Sequence, residues 1–301
     1  MMQCIRQAWI VAPLLLACCG AVAADAGASR KGHGHVSVSL QLLHVDGFES
    51  NSGKVPIGTT DTQTLSFEVE YYATDRLTLV AGIPLIRKRY NGPGPHDPLA
   101  LDPPRPDMEF VDDGDYHTDF QDWHFAVRYL LRDGRFQIEP FIALEEPASD
   151  YPFFAHAAVG QQLTKFDVGS NFSYRPPLSD AFYTLSVSRV FVEETLGVSI
   201  DHWRVNASAG YIFSDRFSAR VFALLKDGDG LDAEDFAQPR TGERWRQHDR
   251  MIKHNYLNAG IGVEWLASDR LQFSAAAMTM VWAEQVHILE YGLVFSTSWN
   301  F

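Results

Sequence analysis

Apolar and polar residues alternate along the C-terminal stretch "ILEYGLVFSTSWNF". Counting back from Phe301, the residues Trp299, Phe295 and Leu293 share one face, and serine and asparagine side chains share the other. Alternation at period two indicates a β-strand with one apolar and one polar face. A strand that separates lipid from water needs this pattern, whereas an edge strand of a secreted sandwich is the alternative for this stretch alone.

Four other places repeat one arrangement, in which an alternating run meets a tight turn and a new alternating run begins. The stretches are "YYATDRLTLVAGIPLI", "YLLRDGRFQIEPFI", "YIFSDRFSARVFAL" and "EWLASDRLQFSAAAM". Asp, Ser and Gly satisfy the backbone of tight turns, so each stretch predicts a β-hairpin. A fifth short connection, "YRPPLSD", turns by proline.

Long polar segments alternate with these short turns along most of the chain. They cover 47–61, 87–117, 146–163, 193–201 and 227–252. An up-and-down barrel with short periplasmic turns and long outer loops has this order, and a sandwich does not require it. We therefore predict an all-β fold, a transmembrane up-and-down antiparallel β-barrel of about twelve strands. The predicted strands are 35–45, 62–73, 76–87, 119–131, 135–145, 164–175, 181–192, 202–213, 216–226, 254–266, 270–282 and 289–301.

Aromatic residues gather at the short-turn ends of the predicted strands. Rings of this kind prefer the depth of the lipid headgroups and form girdles around membrane barrels. The predicted girdle contains Tyr71, Tyr129, Tyr211, Phe213, Trp265, Trp299 and Phe301.

The first residues have the features of an export signal. Arg6 precedes an apolar run over 8–17, and Ala21-Val22-Ala23 fits an A-x-A cleavage site. We predict a signal peptide over 1–23 and an outer-membrane barrel over 24–301, in a Gram-negative envelope. A lipoprotein signal around Cys18 is the alternative. All three cysteines lie in this leader, so if cleavage follows Ala23 we expect neither disulfides nor thiolate metal sites in the mature chain.

The formal net charge is -13, and the sequence pI is about 5.2. Nucleic-acid phosphates require a basic surface, so this acidity excludes nucleic acid as an expected partner. It is compatible with a membrane if the charges lie in the loops and in the lumen.

Several of these stretches carry a family resemblance. "YYATDRLTLVAGIPLI", "YIFSDRFSARV", "EWLASDRLQFS" and "EYGLVFSTSWNF" resemble the outer-membrane family named for the meta-pathway of phenol degradation. The resemblance implies a channel or transporter for small organic compounds, without a catalytic motif or cofactor. The acidic, proline-rich loop 91–119 has no counterpart in that pattern.

The last strand also resembles the C-terminal strand of bacterial outer-membrane barrels. In those proteins a final aromatic residue and alternate apolar residues form the signal that the barrel assembly machinery reads. The matching residues are Phe301, Trp299, Phe295 and Leu293. The expected partners are therefore this machinery, outer-membrane lipid and a small-molecule solute.

The face opposite the predicted lipid face carries charges of both signs. The candidate lumen-lining residues are Glu68, Glu70, Asp122, His124, Arg128, Glu139, Asp167, Arg175, Arg204, Arg220, Glu264 and Glu290. Charges in a narrow lumen must be hydrated or paired. They form either a structural ion-pair network or the lining of a polar, weakly selective pathway.

Metal sites and cofactors are not expected. The acidic stretches 107–122 and 227–236 could gather a cation, but the second lacks the ligand spacing of a calcium loop. We interpret both as solvated loops. The stretch "KGHGH", with His33 and His35, is interpreted as a linker.

Passive uptake of small organic molecules, including aromatic or hydrophobic compounds, is the predicted function. We expect no enzymatic activity. Two alternatives stay open: a lipid-directed outer-membrane enzyme, and a structural or adhesive surface barrel that acts through its long loops. An enzyme would need a serine and histidine constellation near a rim, and no spacing in the sequence selects one.

Overall fold

The computed structural model describes residues 29–93, 96–236 and 242–301. The predicted signal peptide lies outside them. Thirteen strands form one antiparallel sheet. They are β1 (Gly34–Ser50), β2 (Gly53–Tyr72), β3 (Leu77–Asn91), β4 (His117–Phe120), β5 (Asp122–Tyr129), β6 (Phe136–Pro147), β7 (Lys165–Tyr174), β8 (Ala181–Val192), β9 (His202–Ser214), β10 (Phe217–Gly228), β11 (Asn255–Leu266), β12 (Leu271–Glu284) and β13 (Val286–Asn300).

Helical structure is confined to short pieces in the connections. The α-helix α1 covers Gly242–Arg246, and 3-10 turns cover Pro98–Ala100, Ala233–Phe236 and His248–Arg250. None of the described helices is long and apolar enough to cross a membrane.

The sheet closes on itself because β1 pairs with both β2 and β13. Twelve strands form the wall, and β4 is a short additional strand that pairs with the upper part of β3. β5 continues the wall below it, also paired with β3. The predicted barrel class and the number of wall strands are confirmed.

Side chains alternate between the two faces of the wall as predicted. Exposed apolar residues recur at every second position, as Phe67, Val69 and Tyr71 do on β2 and Phe125, Val127 and Tyr129 do on β5. All seven residues of the predicted aromatic girdle are exposed. The outer surface therefore carries an apolar belt with an aromatic border at the short-turn end, which is the surface that lipid requires.

Two of the predicted connections differ from the structure. The first predicted loop is largely strand, because β1 and β2 stay paired up to Ser50 and Gly53. A bulge between Asp46 and Phe48 keeps this polar extension in register. At the other end of the chain, only Gln285 separates β12 from β13, with a φ of 53°.

The long connections fold over one mouth of the barrel and share a core. We call this structure the cap. It consists of the tip of the β1–β2 hairpin and the described parts of the β3–β4, β6–β7 and β10–β11 connections. Its main cluster of buried apolar side chains is Phe48, Ile57, Leu101, Phe154, Ala233, Phe236, Trp245, Met251 and Ile252. The loops predicted to be solvated thus contain a hydrophobic core of their own.

The innermost part of the cap is the β6–β7 connection over 150–163, which we call the plug segment. Most of its side chains from Tyr151 to Leu163 are buried. It joins two neighbouring wall strands, so its ends are fixed and its middle lies under the rest of the cap.

The terminal residue takes part in closing the barrel. The Phe301 N–H donates to the Gly34 carbonyl at 2.9 Å, and the Gly34 N–H donates to the Phe301 carbonyl at 3.1 Å.

We expect deletion of Phe301 to reduce the yield of folded barrel sharply, because it removes both hydrogen bonds and one girdle ring. Phe213→Ala, which removes a girdle ring away from the seam, is the control. Heat-modifiable migration on gels measures the folded fraction, and equal yields for the two variants would contradict the expectation.

Small residues make room for large side chains inside the wall. Phe182 of β8 packs against Gly210 of β9, where an added Cβ would overlap its ring. We expect Gly210→Ala to lower the free energy of unfolding by about 1–3 kcal/mol, as overpacking does. A Cβ added at Gly262 would lie 3.5 Å from its nearest neighbours, so Gly262→Ala should change the free energy of unfolding by less than about 1 kcal/mol. Urea unfolding of the refolded protein measures both, and equal effects would contradict the packing argument.

Candidate functional site: the lumen and the cap

Three groups of ion pairs line the inner face of the wall. In the first group, Arg128 of β5 contacts Glu70 of β2 directly and lies 3.8 Å from Glu139 of β6. His35 of β1 lies 3.9 Å from Glu70, and the Asn171 amide donates to Glu139 at 3.2 Å. Glu68 lies within electrostatic range of Arg128.

The second group is a chain of alternating charges. Lys165 Nζ lies 2.8 Å from Asp122 and 3.0 Å from Glu145. Arg204 continues the chain, at 3.4 Å from Glu145 and 3.3 Å from Asp167. The three carboxylates are largely buried, so the two cations offset a desolvation cost of several kcal/mol for each anion.

The third group is smaller. Arg220 of β10 lies 3.7 Å from Glu264 of β11. The Ser218 hydroxyl and the Gln272 amide each donate to the same carboxylate at 3.4 Å. The structure thus brings eight of the twelve predicted lumen residues into pairs, and Glu68 and His124 lie beside them.

Two predicted lumen residues lie elsewhere. Arg175 follows the last residue of β7 at a short turn, and it takes part in no ion pair among the described residues. Glu290 is exposed at a register shift of β13, 3.9 Å from His44, whose ring stacks on the outward Tyr291. The bulge breaks the alternation from which an inward Glu290 was predicted.

The N-terminal histidines also differ from the prediction. Gly34 opens β1, so the last two residues of the "KGHGH" stretch belong to the wall, and the Gly32 N–H of the turn before them donates to the Tyr72 carbonyl at 2.9 Å. His33 Nδ1 lies 3.3 Å from the Phe301 carbonyl oxygen at the seam. The predicted assembly residues Trp299 and Phe295 are exposed on the outer face. Leu293 lies on that same face of β13 and is partly covered.

An apolar patch faces the lumen beside the charged groups. It is formed by side chains of β1, β10, β12 and β13, and its members are Leu43, Val45, Phe222, Leu224, Met278, Leu289 and Val294. The alternation in the sequence does not reveal this patch, because its residues interrupt the expected pattern of polar inward positions. The lumen therefore has a charged side and an apolar side.

The plug segment is attached to the wall by polar contacts. The Tyr151 hydroxyl donates to Asp122 of the second ion-pair group, and Lys88 Nζ of β3 donates to the Ala158 carbonyl at 3.0 Å. Burial beside that carboxylate raises the pKa of Tyr151, which keeps the hydroxyl a donor. These contacts connect the cap to the lumen charges.

A buried cluster of histidine and aspartate lies at the centre of the cap. His96 and Asp112 come from the β3–β4 connection, His156 from the plug segment, and His248 and Asp249 from the β10–β11 connection. His96 Nδ1 lies 2.8 Å from Asp112, and His96 Nε2 lies 3.4 Å from His248 Nε2. These side chains are the candidate ligands for a metal ion among the described residues.

Burial affects the charge states in this cluster. Desolvation raises the pKa of Asp249, partly offset by His96, and it lowers the pKa of His156 well below its usual value. Asp112 belongs to the acidic stretch predicted to be solvated, but it is buried and accepts the backbone N–H groups of His156 and Ala157 at 3.0 and 2.8 Å. The sequence gives no spacing signal here, because His96 and His248 stand 152 positions apart.

One of the comparisons with known proteins bears on the fold. No family model and no curated protein matches the chain. Among solved structures, an outer membrane channel from Pseudomonas putida F1 matches 92% of this chain and 98% of its own, with a TM-score of 0.68 at 13% identity. The NanC porin and the translocator domain of the autotransporter NalP from Neisseria meningitidis match less well. The match to NanC covers 88% of this chain and 98% of NanC, with a TM-score of 0.48 at 7% identity. The match to the NalP domain covers 92% of this chain and 90% of that domain, with a TM-score of 0.48 at 11% identity.

The similarity to the Pseudomonas channel concerns the fold. The chain shares the barrel fold of that channel, and its outer face carries the exposed apolar belt described above.

We expect the second ion-pair group to contribute strongly to stability. Arg204→Met leaves Glu145 and Asp167 with too few partners and should lower the free energy of unfolding by about 2–4 kcal/mol. Arg189→Met, which breaks a pair with the exposed Asp229, should cost about 0–1 kcal/mol. Urea unfolding in lipid vesicles compares the two, and a small loss at Arg204 would show that the lumen charges are hydrated rather than paired.

Proposed function

We propose that the chain is an outer-membrane channel for the passive uptake of small solutes and is not an enzyme. The observation that carries this proposal is a closed barrel whose outer face is apolar and whose inner face is lined with paired charges from seven strands. In this proposal lipid surrounds the exposed belt, and the barrel assembly machinery inserts the chain.

The composition of the lumen supports small organic solutes as cargo. Paired charges of both signs give no strong preference for anions or cations. The apolar patch beside them offers contact to a hydrophobic or aromatic ring, while the charged side hydrates polar substituents. A twelve-stranded wall is narrow, between filled eight-stranded barrels and open porins, so large solutes are excluded.

The cap acts as the gate in this proposal. The plug segment lies across the mouth and is bonded to the wall at Asp122 and Lys88. A solute must therefore displace or pass the plug segment before it reaches the ion-pair groups.

Conductance in a planar bilayer tests the channel. We expect the intact protein to show small or rare conductance steps, and a variant in which two glycines replace residues 152–161 to show larger and more frequent ones. Replacing residues 194–199 of the β8–β9 connection in the same way is the control, because none of the described hydrogen bonds or ion pairs of that connection reaches residues 152–161. Heat-modifiable migration verifies that each variant is folded. If the folded plug variant never conducts, the lumen is closed by its ion pairs and the channel proposal is wrong.

A further inference from the structure

The five buried side chains at the centre of the cap present a specific electrostatic problem. Two aspartates and three histidines lie within one fully buried cluster, contributed by three separate connections. Burying such groups costs free energy unless each has a partner of complementary chemistry. The hydrogen bonds of the two central histidines indicate which ring nitrogen carries the proton.

Both central histidines direct their Nδ1 atoms to groups that only accept. His96 Nδ1 lies 2.8 Å from the Asp112 carboxylate, which also receives two backbone N–H groups. His248 Nδ1 contacts the Trp245 carbonyl oxygen. In each neutral ring the proton therefore resides on Nδ1, and Nε2 carries a lone pair.

The two Nε2 lone pairs converge on one another and on a carboxylate. They are 3.4 Å apart, and Asp249 places Oδ1 at 2.6 Å from His248 Nε2 and Oδ2 at 4.0 Å from His96 Nε2. Neither Asp249 oxygen accepts a hydrogen bond from the described residues. Two imidazole nitrogens and a buried carboxylate that face one another at these distances form a donor set for a metal cation.

The spacing of the two imidazole nitrogens fits a transition-metal ion. Each Zn–N bond is about 2.0–2.1 Å long, so two nitrogens on a tetrahedral zinc ion stand about 3.3 Å apart. The carboxylate that receives Nδ1–H from His96 is the usual support of a metal-bound histidine. Imidazole donors favour zinc and its neighbours over Mg²⁺ or Ca²⁺.

His156 provides an independent observation. Its ring is fully buried, and neither ring nitrogen has a hydrogen-bond partner among the described residues. One of these nitrogens lies within 4.8 Å of a ring nitrogen of His96 and of a carboxylate oxygen of Asp112. A nitrogen in this position is available as a further ligand.

We propose that the cap binds a divalent transition-metal ion of the zinc class through His96, His248 and Asp249, with His156 beside them and Asp112 as the positioning residue. The ion ties the β3–β4 connection and the β10–β11 connection to the plug segment. Its binding does not depend on whether the barrel conducts.

Zinc stoichiometry of the purified, folded full chain tests the site. After treatment with EDTA and re-equilibration with zinc, we expect about one tightly bound ion per chain, measured by mass spectrometry of the metal after gel filtration. His248→Ala should weaken zinc binding at least tenfold, and Asp112→Asn should weaken it about 10–100-fold. The matched control is His117→Ala, which removes a histidine paired with Asp113 beside the same connection.

Cobalt absorption provides a readout that requires no variant. Co²⁺ bound to the wild-type chain should give the intense visible bands of a tetrahedral site, and zinc should remove them. A wild-type chain that takes up no zinc would overturn the proposal and would assign a shared proton to the position between the Nε2 atoms. Equal loss of zinc in His117→Ala and His248→Ala would also overturn it, since binding would then be unspecific.

Discussion

The requirement that every backbone polar group in a bilayer be bonded within the protein governs this structure. In hydrocarbon an unpaired N–H or C=O costs several kcal/mol, so a sheet can cross only if it has no free edge. Pairing of β1 with β13 removes that edge, and even the last residue donates and accepts across the seam. Closure encloses a lumen. The inward side chains fill this lumen, and the cap covers one of its mouths.

The lumen is filled by paired charges of opposite sign as well as by apolar side chains. Strands that alternate strictly must present polar residues inward when lipid covers the other face, and a twelve-stranded wall brings those residues close to one another. In the second ion-pair group, each buried carboxylate lies beside a cation from another strand. Asp167 of β7, for example, is paired with Arg204 of β9. Neighbouring strands are thereby connected by side chains as well as by the backbone.

The wall could be predicted from the sequence because each hairpin is specified by residues that are close together in the chain. Alternation and Asp-containing turns specify each hairpin within about twenty-five residues, and the strand ends of β8, predicted at 181 and 192, agree with the structure. Glu290 was misplaced because a bulge changes the face of a strand without changing the composition. The cap could not be predicted, since its core and its histidine cluster join residues from distant connections that follow no period.

The β1–β2 hairpin rises past the wall and contributes Phe48 and Ile57 to the core of the cap. Both side chains belong to paired strands that continue directly into the barrel wall. The other members of the core belong to connections that are not paired in this way. The cap therefore has one stiff side and one compliant side. In the proposed channel, the connections around the hairpin would therefore yield before the hairpin itself does.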